Sequence, residues 1–446
     1  MHQSAAWLAA IDKRWVGEPI LAANEKQKRR IVVGLGLTGV SCARFLAARG
    51  LPFAVMDSRS EPPGIHQFRD EFPSIDIHLG DWNEAILTAA DELYVSPGVP
   101  LSEPVLQQAA SDGARISSDL DLFMAEVVAP VIAITGSNAK STVTSLVGDM
   151  ACCAGLNAGI GGNLGTPMLD LLDEERDCYV LELSSFQLER CAGMAASVAS
   201  ILNISADHID RHGSMRSYQD AKQVIYRNAG RCVVNRNDAA TYPRKPIENL
   251  CSFGLDQPAA GDWGVVTVDD HRYIAKGSDA VLSVSALQLV GSHNLLNVVA
   301  AFALGDCAGL PVEAMCEAAV AFCGLPHRCE LVAEHAGVRY INDSKATNAG
   351  ATIAALEGLR TEIGGNITLI AGGQGKGADF SVLRETVAAT ASRVLLIGEA
   401  GPALADVFDS VVAAEQCVDL ESAVAIALAD SKSGDAVLFS PACASF

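Results

Sequence analysis

Aromatic residues make up only 5% of this chain, and none of its thirteen cysteines is spaced C-x-x-C from another. A structural zinc site needs clustered, regularly spaced ligands, and a secreted disulfide framework is denser and sits in a smaller chain. The scattered cysteines instead predict reduced, mostly buried thiols, with the adjacent Cys152 and Cys153 on a buried helix. Basic residues are also few: 32 Lys and Arg stand against 53 Asp and Glu, a formal charge of −21. That excess excludes a general nucleic-acid or anionic-membrane surface, but not a local basic pocket for an anionic substrate. No apolar run approaches the ~20 residues needed to span a bilayer. The richest, Leu295 to Leu310, is interrupted by Asn297 and Asp306. The first thirty residues lack a continuous apolar segment, and their basic cluster (Lys26, Lys28, Arg29, Arg30) follows instead of leading. A secretory signal has the opposite order. A soluble cytoplasmic protein with no membrane insertion is expected.

Half of the 446 residues are hydrophobic, enough for large cores. At roughly 150 residues per domain the length corresponds to about three domains. Ile31 to Gly36 reads as a short strand running into glycines, followed by a helical pattern ended by Gly50 and a second strand, Phe53 to Asp57. The pattern restarts after Pro130 with Val131 to Ile134, then continues through Tyr179–Leu183, Val198–Ile204 and Cys232–Asn235. Cys251 to Leu287 suggests hairpins, and Leu295 to Cys323 two helices. A third restart follows Gly324-Leu-Pro326, with a hairpin-like pair at Leu331–Val332 and Val338–Ile341. Strands alternating with helices predict parallel, doubly wound sheets. The fold class expected is α/β in three domains, with no short tandem repeat.

Two glycine turns carry chemistry. Gly34-Leu-Gly36-Leu-Thr-Gly39 matches G-x-G-x-x-G between a strand and a helix, with Asp57 ending the next strand. Such a turn lets backbone approach a diphosphate and a helix pack close to a strand. By itself it fits NAD as well as any other diphosphate ligand. The second, Gly136-Ser-Asn-Ala-Lys-Ser-Thr142, places Lys140 in a first helical turn, where the helix dipole disfavours a cation unless an anion meets it. Ser141 and Thr142 offer hydroxyls to Mg²⁺ or phosphate oxygen. Ala139 stands where a phosphate loop has glycine, which demands a negative φ or tolerated strain. Glu182 and His208 lie at or just past the ends of strands, where the ligand crevice of a doubly wound sheet opens. With Lys140 they are expected to share a site, Mg²⁺ lying between carboxylate and phosphate. In the third unit, Asn342-Asp-Ser-Lys-Ala-Thr-Asn348 and Gly372-Gly-Gln-Gly-Lys-Gly-Ala-Asp379 are polar loops at strand ends. Each has a bland reading as well: a capped helix start and a flexible turn.

In chain order, "VVGLGLTG", "SPGV", "AITGSNAKSTVT", "GGNLGTP", "YVLELSSFQLE", "LNISADHIDRH", "GSHNLLN", "LPHRCE", "INDSKATN", "GGQGKGADF" and "SPACAS" resemble the Mur ligases of peptidoglycan precursor synthesis, and among them the D-glutamate-adding branch. The phosphate loop of that family has the short form G-x-x-G-K-[ST]. The resemblance implies a Rossmann-like N-terminal domain (31–118), a central P-loop-type ATPase domain with a mostly parallel sheet (119–324) and a Rossmann-like C-terminal domain for the amino acid (325–446). Residues 1–30 would be a disordered extension. It implies ATP-dependent addition of D-glutamate to UDP-N-acetylmuramoyl-L-alanine through an acyl phosphate, by a monomer using Mg²⁺.

By the same resemblance, the uridine-nucleotide substrate falls to Gly36, Leu37, Thr38, Asp57, Ser58, Arg59, Gly98, Asn163, Ser184 and Gln187, with His208 as a further contact. ATP falls to Gly136 through Thr142, Asn294, Arg328, Asp343 and Lys345. D-Glutamate falls to Thr347, Lys376 and Ser445. Catalysis and metal binding fall to Lys140, Ser141, Glu182, His208 and Lys222, the last as a carbamate; without the resemblance, Lys222 reads as a solvated helix charge. Three departures from the family pattern stand out. Ala139 replaces a glycine, and Gln374 stands where an acidic residue or histidine is expected. The sequence also stops at "PACASF", where family members continue through a loop and a final helix, so an incomplete amino-acid site is expected. The rival readings are an NAD-dependent oxidoreductase resting on the first turn alone, a Mur-type ligase for another amino acid, and a non-catalytic nucleotide-binding protein.

Overall fold

The computed structural model describes residues 28–289, 291–360, 362–375 and 378–443. Three α/β domains follow one another, each built on its own sheet. The first sheet has the order β3-β2-β1-β4-β5, with β1 Arg30–Val33, β2 Ala54–Asp57, β3 Ile77–Leu79, β4 Glu92–Val95 and β5 Arg115–Ser117. All its pairings are parallel. Arg30, expected to belong to a disordered extension, opens β1 instead. It is buried and paired with Glu92 at 3.0 Å, so its charge is matched inside the sheet.

The second sheet runs β14-β13-β12-β11-β10-β9-β6-β8-β7. Its strands are β6 Val131–Thr135, β7 Ala158–Gly162, β8 Cys178–Glu182, β9 Val198–Ile201, β10 Arg231–Asn235, β11 Leu250–Phe253, β12 Trp263–Val268, β13 His271–Lys276 and β14 Asp279–Ser283. Pairing is parallel from β7 across to β12 and antiparallel in the β12–β13–β14 meander. One face packs on helices Lys140–Cys153, Ser292–Cys307 and Val312–Ala321. Trp263 and Phe302 meet there with ring centroids 5.2 Å apart. Burying one such side chain fully stabilises by about 1.5–3 kcal/mol. Asp306, which breaks the longest apolar run, accepts from Trp263 Nε1 at 3.2 Å and Lys276 Nζ at 2.7 Å.

The third sheet has the order β15-β16-β20-β17-β18-β19, with β15 Glu330–His335, β16 Val338–Asn342, β17 Ile367–Gly372, β18 Arg393–Ile397, β19 Ala413–Gln416 and β20 Ala436–Phe439. Among the described residues, only the β15–β16 hairpin is antiparallel in this sheet. No helix among the described residues is long and apolar enough to cross a membrane. All thirteen cysteines are unpaired, but Cys152 and Cys153, expected inside, are exposed. They sit in the last turn of their helix, past the stretch that faces the sheet.

Candidate active site

β6 lies between β8 and β9, so the carboxyl ends of these strands open on one crevice. Register sets Ile134 beside Glu182 and Thr135 beside Ile201. The loop leaving β6 is laced to the segment leaving β9. The Ser137 N–H donates to Asn203 O at 3.0 Å, and the Asn138 N–H to Asn203 Oδ1 at 2.8 Å. Ser137 Oγ accepts from the Ser205 N–H at 2.9 Å and meets Tyr218 Oη at 3.0 Å. Ala139 takes the strained solution, φ 66°, and the helix beginning at Lys140 has no side-chain cap. Its first N–H groups are left for a ligand to satisfy.

Two lysines meet behind this loop. Lys140 Nζ donates to Gly136 O and Ser137 O, both at 2.9 Å. Lys222, from the helix Met215–Gln223, is 1% exposed and donates to Gly136 O at 2.8 Å and Thr135 Oγ1 at 3.2 Å. Its reading as a solvated charge is therefore overturned: the helix turns it inward, over the Tyr218 ring. Burial, then the neighbouring Lys140 charge, pushes its pKa well down. Burial also lowers Lys140, against the pull of Glu182 and Asp207.

Glu182 is buried, with Oε1 accepting from Asn163 Nδ2 at 2.6 Å. Its Oε2 is buried with no partner among the described residues. His208 is half exposed, with φ 53°, its Nε2 3.6 Å from Asp207 Oδ2 and its ring edge-on to Phe186. No group of three His, Cys, Asp or Glu among the described residues could hold a metal ion. The donor set is one carboxylate oxygen and the Ser141 hydroxyl, which suits Mg²⁺, an ion held by few carboxylates plus phosphate oxygens. Imidazole suits it poorly.

In the first domain, an added Cβ at Gly39 would lie 2.1 Å from Gly34 O, so helix Leu37–Ala48 can approach the turn only with glycine there. At Gly36 it would meet nothing within 4 Å. Leu37 is 72% exposed and Ser58 is also exposed. Thr38 is half-buried in the first turn of that uncapped helix. Asp57 is spent internally: it accepts from the Leu35 N–H at 2.7 Å and from Arg59 N, Nε and Nη2 at 2.6–2.9 Å. Burial would raise its pKa, yet the Arg59 and backbone donors hold it below the usual range. Gln187 is spent too, closing a capping box on Ser184 and donating to Asp119 at 3.2 Å. Gly98 joins the domains through its carbonyl, which accepts from Arg211 at 3.3 Å.

The third domain meets the phosphate loop along Arg328 and the Asn342–Asn348 segment. Arg328, between His327 (φ 66°) and Cys329 (φ 47°), donates to Ser141 Oγ at 2.9 Å. Asp343 is buried, accepting from the Cys329 N–H and Ser440 Oγ, and burial raises its pKa to about 6. Lys345 and Thr347 are exposed, and Asn294 is buried at the start of helix Ser292–Cys307. Lys376 and Ser445 lie outside the described residues. Sequence reasoning passed over Asn203, Asp207, Tyr218 and Asn348. Asn203 and Asp207 lie in "LNISADHIDRH" and Asn348 ends "INDSKATN", so only Tyr218 lay outside the motifs singled out.

Family models match all three domains: Mur ligase MurD-like, N-terminal domain over residues 28–118, Mur ligase middle domain over 134–305, and Mur ligase, glutamate ligase domain over 327–443. The UDP-N-acetylmuramoylalanine–D-glutamate ligase of Pseudomonas aeruginosa is 50% identical over 417 residues, 93% of each chain. That of Marinobacter nauticus is 48% identical over 421 residues, 94% of each. Among solved structures, a pseudomurein peptide ligase type C from Methanothermus fervidus superposes with a TM-score of 0.60 at 19% identity, covering 92% of this chain and 96% of that one. The MurF ligase of Thermotoga maritima in complex with ADP gives 0.58 at 17%, covering 94% and 93%. These two show the shared fold. With all three domain models matched in order and half the residues shared with close relatives, the chain belongs to the Mur ligase family.

Proposed function

We propose that this protein joins D-glutamate to UDP-N-acetylmuramoyl-L-alanine with consumption of ATP, as a cytoplasmic enzyme of peptidoglycan precursor synthesis. The D-glutamate specificity rests on identity to relatives of that activity over nine-tenths of the chain. The observation that carries the chemistry is the junction at which an uncapped helix, two lysines, the unpartnered Glu182 oxygen and Arg328 converge.

The ATP phosphates would lie on the loop from Gly136 to Thr142, with Lys140 swinging from the loop carbonyls to the triphosphate and Arg328 facing it from the third domain. Asn294, Asp343 and Lys345 complete the ATP side. Glu182 Oε2 and Ser141 Oγ would hold Mg²⁺, with Lys222 as a carbamate adding an anionic oxygen; the ion would neutralise charge on the transferring phosphate. The substrate carboxylate attacks the γ-phosphorus, the bond to ADP breaks, and an acyl phosphate forms. The amine of D-glutamate, held by Thr347, Lys376 and Ser445, attacks the acyl carbon, phosphate leaves and a proton is lost. Donors fixed before the reaction stabilise the developing charge, and exclusion of water protects the acyl phosphate. Gly36, Leu37, Thr38, Ser58, Arg59, Gly98 and Asn163 line the uridine-nucleotide side, with Asp57 setting Arg59 and Ser184–Gln187 holding a short helix. All these residues come from one chain, so a monomer suffices. A dehydrogenase reading leaves the second loop without a role, and Asp57, which would have to receive a ribose, is already engaged.

The test is ADP release by the purified 446-residue chain, with D-glutamate, L-glutamate, L-lysine and D-alanyl-D-alanine in parallel. Release that requires UDP-N-acetylmuramoyl-L-alanine and D-glutamate, and fails in Lys140→Ala, is expected. Equal release with another amino acid would overturn the assignment.

A further inference from the structure

Asn348 makes two kinds of hydrogen bond at once. Within its own domain Oδ1 accepts from the Ala351 N–H at 2.9 Å, capping helix Ala349–Arg360. Across the domain boundary Nδ2 donates to Asn138 Oδ1 at 3.1 Å and to Asp207 Oδ2 at 3.4 Å. Asn138 Nδ2 returns a bond to Asn348 Oδ1 at 3.4 Å, so the two carboxamides exchange donors and acceptors. The pair is shielded, Asn348 being 8% exposed. Gly350 permits the approach: a Cβ there would lie 2.9 Å from Ser205 Oγ. Asn138 is fixed on its other side, where its N–H and its carbonyl are both held by the Asn203 carboxamide.

From this we infer that Asn348 is a positioning residue for the ligation, touching the phosphate loop at Asn138 and the segment after β9 at Asp207 and seating the third domain against both. The inference rests on the ligase reading above and deepens it. Asn348 touches no reacting atom. It fixes where the amino-acid domain stands while the acyl phosphate exists, so that the amine arrives before water does. Misplacement of reacting groups by about 1 Å can cost on the order of 100-fold in rate.

The two roles of Asn348 separate by substitution. Asn348→Asp keeps the cap, since aspartate caps helices as well as asparagine. It removes the donor and sets a carboxylate against the carboxylate of Asp207. Asn348→Ala removes cap and contact together. For Asn348→Asp the expected result is a chain that still folds with a cooperative melting transition, a fall in kcat of about 10- to 100-fold and ATP affinity unchanged without other substrates. The ratio of amide product to ADP should drop below one as acyl phosphate is lost to water. Asn138→Ala and Asn348→Ala should lower kcat by less than the product of their separate effects, because both remove the carboxamide pair. A wild-type ratio in Asn348→Asp, or additive single variants, would overturn the inference. If the wild-type chain shows no D-glutamate-dependent ADP release, the ligase reading fails by itself. Small-angle scattering then decides the contact: a larger radius of gyration in Asn348→Asp supports it, and an unchanged one rejects it.

Discussion

Lys140 and Lys222 donate to the same oxygen, the Gly136 carbonyl, at 2.9 and 2.8 Å. Two ammonium groups this close repel each other, and burial adds to the cost of charging Lys222. Its pKa is pushed well down, first by burial and then by Lys140. A neutral amine is nucleophilic toward CO₂, and the carbamate formed would exchange a repelling cation for an anionic oxygen. Labelled bicarbonate should therefore give a carbamate ¹³C signal in the wild-type protein that is missing in Lys222→Ala. ADP release should fall in CO₂-depleted buffer. A signal of equal strength in Lys222→Ala would reject the assignment.

Gly358 and His293 compete for one space at the junction of the second and third domains. A Cβ on Gly358 would lie 2.3 Å from His293 Nδ1. Gly to Ala inside a helix ordinarily stabilises by about 1 kcal/mol, but overpacking against a buried ring costs about 1–3 kcal/mol. Gly358→Ala should lower stability in the wild-type background and raise it in His293→Ala. Urea unfolding of the four proteins measures that change of sign.

His293 also sets a pH dependence. Burial lowers its pKa from 6.5 to about 4, a hydrogen bond to Ala354 offsetting part of the shift. Between these values the unfolded chain binds more protons than the folded one. Stability is therefore complete above about 6.5 and declines toward pH 4, by about 3 kcal/mol from this group. His293→Gln should flatten that part of the curve of melting temperature against pH. A slope equal to wild type would exclude His293 as its source.

Ala139 holds φ at 66°, a conformation that costs an L-residue about 1–2 kcal/mol. Ala139→Gly should gain about 1 kcal/mol in denaturant midpoint analysis, net of the greater freedom of glycine in the unfolded chain. A loss of stability would mean that the loop relies on the methyl group.

Much of the fold is legible in the sequence because buried parallel strands read as apolar runs, as in β1, β6, β8 and β17. β3, β5, β7 and β19 are not. They are edge strands, short, polar or exposed, and β7 (Ala158–Gly162) consists mostly of glycine. Its glycines are explained by neighbours: a Cβ would lie 2.6 Å from Tyr179 at Gly159 and 2.5 Å from Glu182 O at Gly162.

The three α/β domains, the two glycine turns, and the loops at Lys140 and Asp343 can be read from the sequence, because periodicity and turn chemistry are local. Which polar groups are consumed internally and which remain for a ligand emerges from how the three domains fold around them. Asp57 and Gln187, read as substrate contacts, are tied to Leu35, Arg59, Ser184 and Asp119. Lys222, read without the resemblance as a solvent-facing charge, is buried against Gly136, and Asn348 reaches Asn138 across 210 residues. The physical reason is that desolvation and hydrogen-bond partnership are properties of a residue's surroundings, and here the surroundings come from three domains.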